Sequence, residues 1–129
     1  MFLQAGVGGF AAAAVAHLSD QSLVFVVVEP ERVACVFESG AAGHAVTTAH
    51  APPTVMAMLE CQQPSVIALD ILDRRVRALV TLPEAAAGEA MRALAFPAPG
   101  DPAIVAGESG AAGLADCWRW SPRPNRRAP

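Results

Sequence analysis

Gln4-Ala5-Gly6-Val7-Gly8-Gly9-Phe10-Ala11-Ala12 is the stretch on which the fold turns. Three glycines in four residues separate a short apolar stub, Met1–Leu3, from Phe10–Leu18, an alanine-rich run free of Gly and Pro. The order reads as a strand end, a tight turn and a helix. Glycines admit positive φ and let backbone N–H groups approach a ligand closely. The positive end of the following helix favours an anion. The turn therefore has the makings of a phosphate cradle. It matches neither GxGxxG nor GxxxxGK[ST], so a ligand-free strand-to-helix turn stands beside that reading.

Outward from the turn, apolar runs alternate with helix patterns. Leu23–Val28 is continuous, β-branched and aromatic, as expected of a strand buried on both faces, and Glu29-Pro30 ends it. Glu31–Glu38 has helical spacing, stopped by Ser39-Gly40. Ala45–Thr48 suits a short strand, and Thr54 an N-cap for a helix through Leu59. Gln62–Ser65 is a turn before a helix over Val66–Arg74. Val76–Leu82 is the second strong strand, and Pro83-Glu84 opens a helix to about Ala95. Phe96–Pro102 is a loop, Ile104-Val105 a short strand, and Ala111–Asp116 a last helix after Gly107-Glu108-Ser109-Gly110. The fold class is α/β, a partial parallel sheet flanked by helices. Two units are expected: an α/β domain over residues 1–116 and an irregular Arg/Pro-rich tail over 117–129.

Composition limits the function. The 129 residues include 28 alanines and are 53% hydrophobic and 16% charged, which suits a packed core. A net charge of −3 argues against a nucleic-acid binder. All nine cations are arginine. With no lysine, Schiff-base or P-loop amine chemistry is beyond this chain alone, and with no tyrosine so are phenol roles. No apolar run nears the ~20 residues of a membrane helix. No basic leader precedes the glycine turn, so no signal peptide is expected.

Cys35, Cys61 and Cys117 form no CxxC pair, which disfavours a zinc site and a disulfide framework and favours a reducing, cytoplasmic setting. They read as small buried or half-buried apolar residues. His17, His44 and His50 lack metal-like spacing and read as surface or half-buried; Met56, Met58 and Met91 read as core filler. Ser109 sits in Gly-Glu-Ser-Gly-Ala, one residue from a hydrolase elbow, but no histidine follows it. The tail pairs Trp118 and Trp120 with four arginines. RNA contact is the weaker reading beside a solvated tail.

Three motifs together carry a resemblance. Gln-Ala-Gly-Val-Gly-Gly-Phe-Ala-Ala at 4–12, Val-Val-Glu-Pro at 27–30 and Gly-Glu-Ser-Gly-Ala-Ala-Gly-Leu at 107–114 resemble the fold-type II pyridoxal-phosphate (PLP) enzymes, the tryptophan synthase β-like superfamily. Val-Glu-Pro-Glu-Arg at 28–32, Cys35, Pro-Thr-Val-Met-Ala-Met-Leu-Glu-Cys at 53–61 and Leu-Asp-Ile-Leu at 69–72 are most similar to its diaminopropionate ammonia-lyases. The resemblance spans residues 2–116.

It implies PLP as cofactor, its phosphate held by backbone amides of Gly6, Val7, Gly8, Gly9 and Phe10. Glu108 lies in the motif that approaches the cofactor ring in relatives; an acid capping a helix is the alternative. The implied reaction turns 2,3-diaminopropionate into pyruvate and ammonia. The implied partners are a small amino-acid substrate and, for an intact member, a second copy of itself, with no nucleic acid and no membrane. In racemase-like relatives the glutamate matching Glu29 helps bind a divalent cation, with an acid six positions on. Here that position is Cys35, a poor ligand for a hard cation. Glu29 is therefore expected to end its strand and cap the next turn, with no metal. The family's Schiff-base lysine lies well before the glycine loop, and nothing here matches it. A fragment, inactive alone, is the resulting expectation, with no catalytic residue assigned. The break in pattern after Leu114 reads as a frameshifted or foreign end. A threonine or serine dehydratase is the neighbouring enzymatic reading; a non-catalytic small α/β interaction domain is the reading from another class.

Overall fold

Val26-Val27-Val28 explains the architecture. Successive strand side chains point to opposite faces, so three consecutive buried valines demand cover on both sides. A computed structural model describes residues 1–119 and supplies that cover. Its elements are β1 (Phe2–Gln4), α1 (Gly9–His17), β2 (Val26–Pro30), α2 (Cys35–Ala42), a 3₁₀ turn (Ala57–Leu59), α3 (Val66–Arg75), β3 (Ala78–Leu82), α4 (Glu84–Ala95) and α5 (Glu108–Arg119). The sheet is three-stranded and parallel in the order β1-β2-β3. Leu3 pairs with Val27, and Val27 with Leu79.

The chain is α/β, as the alternation of strands and helices implied. Val27 joins Leu3, Val15, Val36 and Leu72 in a core beneath α1, α2 and α3. Val26 and Val28 turn the other way, with Val80 and Leu82, against the alanines of α4 and α5. Small side chains let α4 and α5 lie close on the sheet, which is where much of the alanine is used. Gly113 of α5 shows how close: a Cβ there would sit 3.2 Å from the Phe2 carbonyl oxygen and 3.2 Å from Gln4 Oε1.

Several local expectations are corrected. β2 starts at Val26 and takes in Glu29-Pro30, leaving Leu23 and Val24 exposed. The helix expected over Glu31–Glu38 starts only at Cys35 and passes through Ser39-Gly40 to Ala42. Gly43, at φ 74°, is what stops it. Ser39 survives inside because its hydroxyl points inward and accepts a bond from Val46 N–H (3.0 Å). Ala45–Thr48 forms no strand; Thr48 donates to the Gln62 carbonyl through its N–H (2.9 Å) and its hydroxyl (3.3 Å) without a ladder forming. The helix expected over 54–59 shrinks to one 3₁₀ turn, since two prolines hold the approach extended and the Thr54 hydroxyl accepts from Met56 N–H. Ile104-Val105 stays outside the sheet, half and fully exposed. α5 begins at Glu108, not Ala111, and continues to Arg119, three residues into the stretch read as irregular. The rest of that stretch, with Trp120 and the last three arginines, lies outside the described residues. Among the described residues no helix is long and apolar enough to cross a membrane.

Candidate functional site

The site starts where β1 ends. Ala5 N–H still bonds to the β2 carbonyl of Val28 (2.9 Å). Gly6 then passes through a tight gap: a Cβ would lie 3.0 Å from Cys61 Sγ and 3.3 Å from Leu59 Cα, so a side chain there would have to push these neighbours back. The Val7 carbonyl accepts from Ser65 N–H (2.9 Å), which ties the turn to the start of α3. Gly8, at φ 92°, reverses the chain into α1. Gly9 is different in kind, because a Cβ there would meet nothing within 4 Å. The protein's own packing does not require glycine at this point. The N-terminus of α1 is left open on that side.

Helices leave their first N–H groups without internal partners. Here the first to find a carbonyl is Ala12 N–H, on Gly8 (2.9 Å). Among the described residues, the N–H groups of Gly6 through Ala11 donate to no protein acceptor. Of these residues, Gly6 through Phe10 border a cavity of about 320 Å³. Gln4 through Phe10 form one side of it, Met58, Leu59 and Cys61 the second, and Ser109-Gly110 at the start of α5 the third. Two helix N-termini thus face one space, and both favour negative charge.

All five residues expected to hold a phosphate, Gly6, Val7, Gly8, Gly9 and Phe10, are brought together on this cavity. Glu108 is exposed at the first residue of α5, next to the lining residue Ser109 but not itself in the lining. Ser109 Oγ accepts from Met58 N–H (3.2 Å), so its hydroxyl staples one wall to another instead of facing a base. Met58 corrects an expectation: it is a wall residue, 81% exposed, whereas Met56 is indeed core. Sequence reasoning does not find Met58, Leu59, Cys61, Ser109 and Gly110 as site residues. The available signal is the length of the irregular segment 43–65, since long ordered loops in compact domains usually serve a site.

Glu29 sits behind this site. It is fully buried, and its two carboxylate oxygens accept from Val36 N–H (2.9 Å) and Phe37 N–H (2.6 Å). It caps the first turn of α2, as expected. Burial pushes its pKa up to about 8, and the two N–H bonds offset only part of that. Cys35, beside it, is pushed up to about 12 by burial, with the Glu29 carboxylate and Cys61 adding to it. A thiol so strongly protonated is a structural residue, not a nucleophile. Cys61 is half-buried and Cys117 exposed, so the expectation of buried or half-buried thiols fails only for Cys117.

The sequence profile of pyridoxal-phosphate dependent enzymes matches residues 1–124. The chain belongs to this pyridoxal-phosphate dependent enzyme family. Members depend on PLP, and the open glycine turn fits a phosphate group. Diaminopropionate ammonia-lyase of Escherichia coli K12 is 36% identical over 118 residues, covering 88% of this chain and 30% of the relative. That of Salmonella typhimurium LT2 is 32% identical over 123 residues, covering 88% of this chain and 30% of the relative. The chain thus spans about 30% of the length of these relatives. The E. coli enzyme, solved with an aminoacrylate-PLP azomethine reaction intermediate, superposes with a TM-score of 0.80 at 34% identity, over 89% of this chain and 30% of that one. A threonine deaminase from T.th. gives a TM-score of 0.81 at 25% identity, over 92% of this chain and 41% of that one.

Proposed function

We propose that this chain supplies the phosphate-holding side of a PLP-dependent ammonia-lyase acting on 2,3-diaminopropionate, and that it does not turn over substrate unaided. The observation that carries the reading is the set of unpartnered N–H groups from Gly6 to Phe10 around a cavity of about 320 Å³. Identity of 34% to a diaminopropionate ammonia-lyase structure, against 25% to a threonine deaminase of nearly equal superposition, favours this substrate over a hydroxy amino acid.

In this reading the N–H groups of Gly6 through Phe10 and the positive end of α1 bind the phosphate. Ser109-Gly110, at the second helix N-terminus, borders the same space. Glu108 stands at its rim, where it orients or polarises the ring side. When bound, PLP supplies the electron sink for the substrate's α-carbon. The chain has no lysine. In this reading the amine that attaches the cofactor therefore comes from outside residues 1–129. The free thiols of Cys35, Cys61 and Cys117 support a cytoplasmic placement for it.

The test is titration of the purified chain with PLP, followed by cofactor fluorescence, with inorganic phosphate as competitor. Gly9→Val puts a side chain into the open position, where its Cβ meets nothing within 4 Å. It is expected to weaken PLP binding by about tenfold or more while moving the melting temperature by no more than about 2 °C. Binding indifferent to phosphate, or equal in Gly9→Val, sinks the reading.

A further inference from the structure

The segment from Gly43 to Ser65 contains a single 3₁₀ turn, yet it supplies one whole wall of the cavity. Such a wall has no helix or ladder to hold it, so its position depends on individual bonds. Two of these converge on one carboxylate. Glu84, the first residue of α4, accepts through Oε2 from both Thr54 Oγ1 (3.0 Å) and Val55 N–H (2.7 Å). Its other oxygen, Oε1, is buried without a hydrogen bond and faces Arg32 Nε at 3.9 Å. Arg32 in turn donates to the Pro53 carbonyl (2.8 Å).

From this clamp the chain runs directly to the cavity. The Thr54 hydroxyl accepts from Met56 N–H (3.1 Å), and Thr54 N–H donates to Glu60 Oε2 (3.2 Å). Met56 is buried in the core, the 3₁₀ turn follows, and Met58, Leu59 and Cys61 emerge as lining. Leu59 is also what narrows the passage for Gly6. Glu84 lies some thirty residues further along the chain than the segment it holds, and it does not line the cavity.

We propose that Glu84 is a positioning residue that fixes the Met58–Cys61 wall of the cavity through its grip on Thr54 and Val55. Its effect on cofactor affinity rests on the PLP reading; its effect on the wall does not. Cys61 is a built-in reporter, being half-buried in the wall, while Cys35 is buried and Cys117 exposed. The experiment measures iodoacetamide alkylation of each cysteine by mass spectrometry, and PLP affinity, in the full chain. Cys61 is expected to react more slowly than Cys117 in the unaltered protein.

Glu84→Ala is expected to speed Cys61 alkylation about fivefold or more, leave Cys117 unchanged and weaken PLP binding several-fold. Glu84→Gln keeps an acceptor oxygen for Thr54 and Val55 and is expected to stay near the unaltered values. Loss of a favourable charge at the start of α4 would instead affect both variants alike. Thr54→Val breaks the same grip from the loop side and serves if Glu84→Ala does not fold. Unchanged Cys61 reactivity in Glu84→Ala and Thr54→Val, equal effects of Ala and Gln, or Cys61 as reactive as Cys117 from the outset, each overturns the proposal. Failure of PLP to bind, with the alkylation pattern as expected, overturns the cofactor reading alone and supports the clamp.

Discussion

Gly8→Ala is expected to destabilise the chain by about 2–3 kcal/mol, lowering the melting temperature by roughly 10 °C. Two costs add. At φ 92° a side chain is strained whatever the space around it. The space is also taken: a Cβ would approach Ala68 Cβ to 3.2 Å, Leu72 Cδ1 to 3.3 Å and Val36 Cγ2 to 3.5 Å. These belong to the core shared by α1, α2 and α3, which has little room to yield. Gly43 separates the costs, since it has φ 74° but nothing within 4 Å. Gly43→Ala is expected to cost only about 1 kcal/mol. Thermal melts of the two variants check this, and equal losses would mean that crowding at Gly8 contributes nothing.

Stability should also fall as pH rises from about 4.5 to 8, through Glu29. Its carboxyl is held at about 8 in the folded chain against a usual 4.5. The folded state therefore retains a proton in that window which the unfolded chain has released. Stability is then fully present below 4.5 and lost as pH climbs through 8. The effect is on the order of a few kcal/mol. Glu29→Gln removes the titration but turns an amide NH₂ toward Val36 N–H or Phe37 N–H, costing about 1–3 kcal/mol. The unaltered chain should be the more stable at about pH 5, with the gap narrowing or closing by about pH 8. Parallel stability curves for the two proteins would show that Glu29 does not titrate in this window.

How far the sequence revealed this fold depends on which residues are asked. Val26-Val27-Val28 could only be a strand buried on both faces, and Gly6-Val7-Gly8-Gly9 could only turn tightly. Both readings rest on local chemistry. Errors arise where distant contacts decide. Cys35 begins α2 because a glutamate six residues earlier offers its carboxylate there, which no helical spacing records. Ala45–Thr48 and Ile104-Val105 look like strands from composition, but they have no neighbouring strand to pair with among the described residues. For the site, the five loop residues are legible because their function lies in backbone N–H groups and glycine marks those directly. The opposite wall is hidden because Met58 and Cys61 look like core residues. They are held at the cavity by long-range bonds, the grip of Glu84 on Thr54 thirty residues away and the bond from Met58 N–H to Ser109 Oγ.

Ser65 is the hinge pin of this arrangement. Its N–H holds the Val7 carbonyl, and its hydroxyl accepts from Ala68 N–H (3.4 Å) to cap α3. The glycine turn and the first turn of α3 therefore loosen or tighten together. An anion that stiffens the turn should slow deuterium uptake at Ser65 and at the first free amides of α3, residues that never touch it. Occupancy can thus be read from the far side of the loop, by a mass spectrometer and without any label in the cavity.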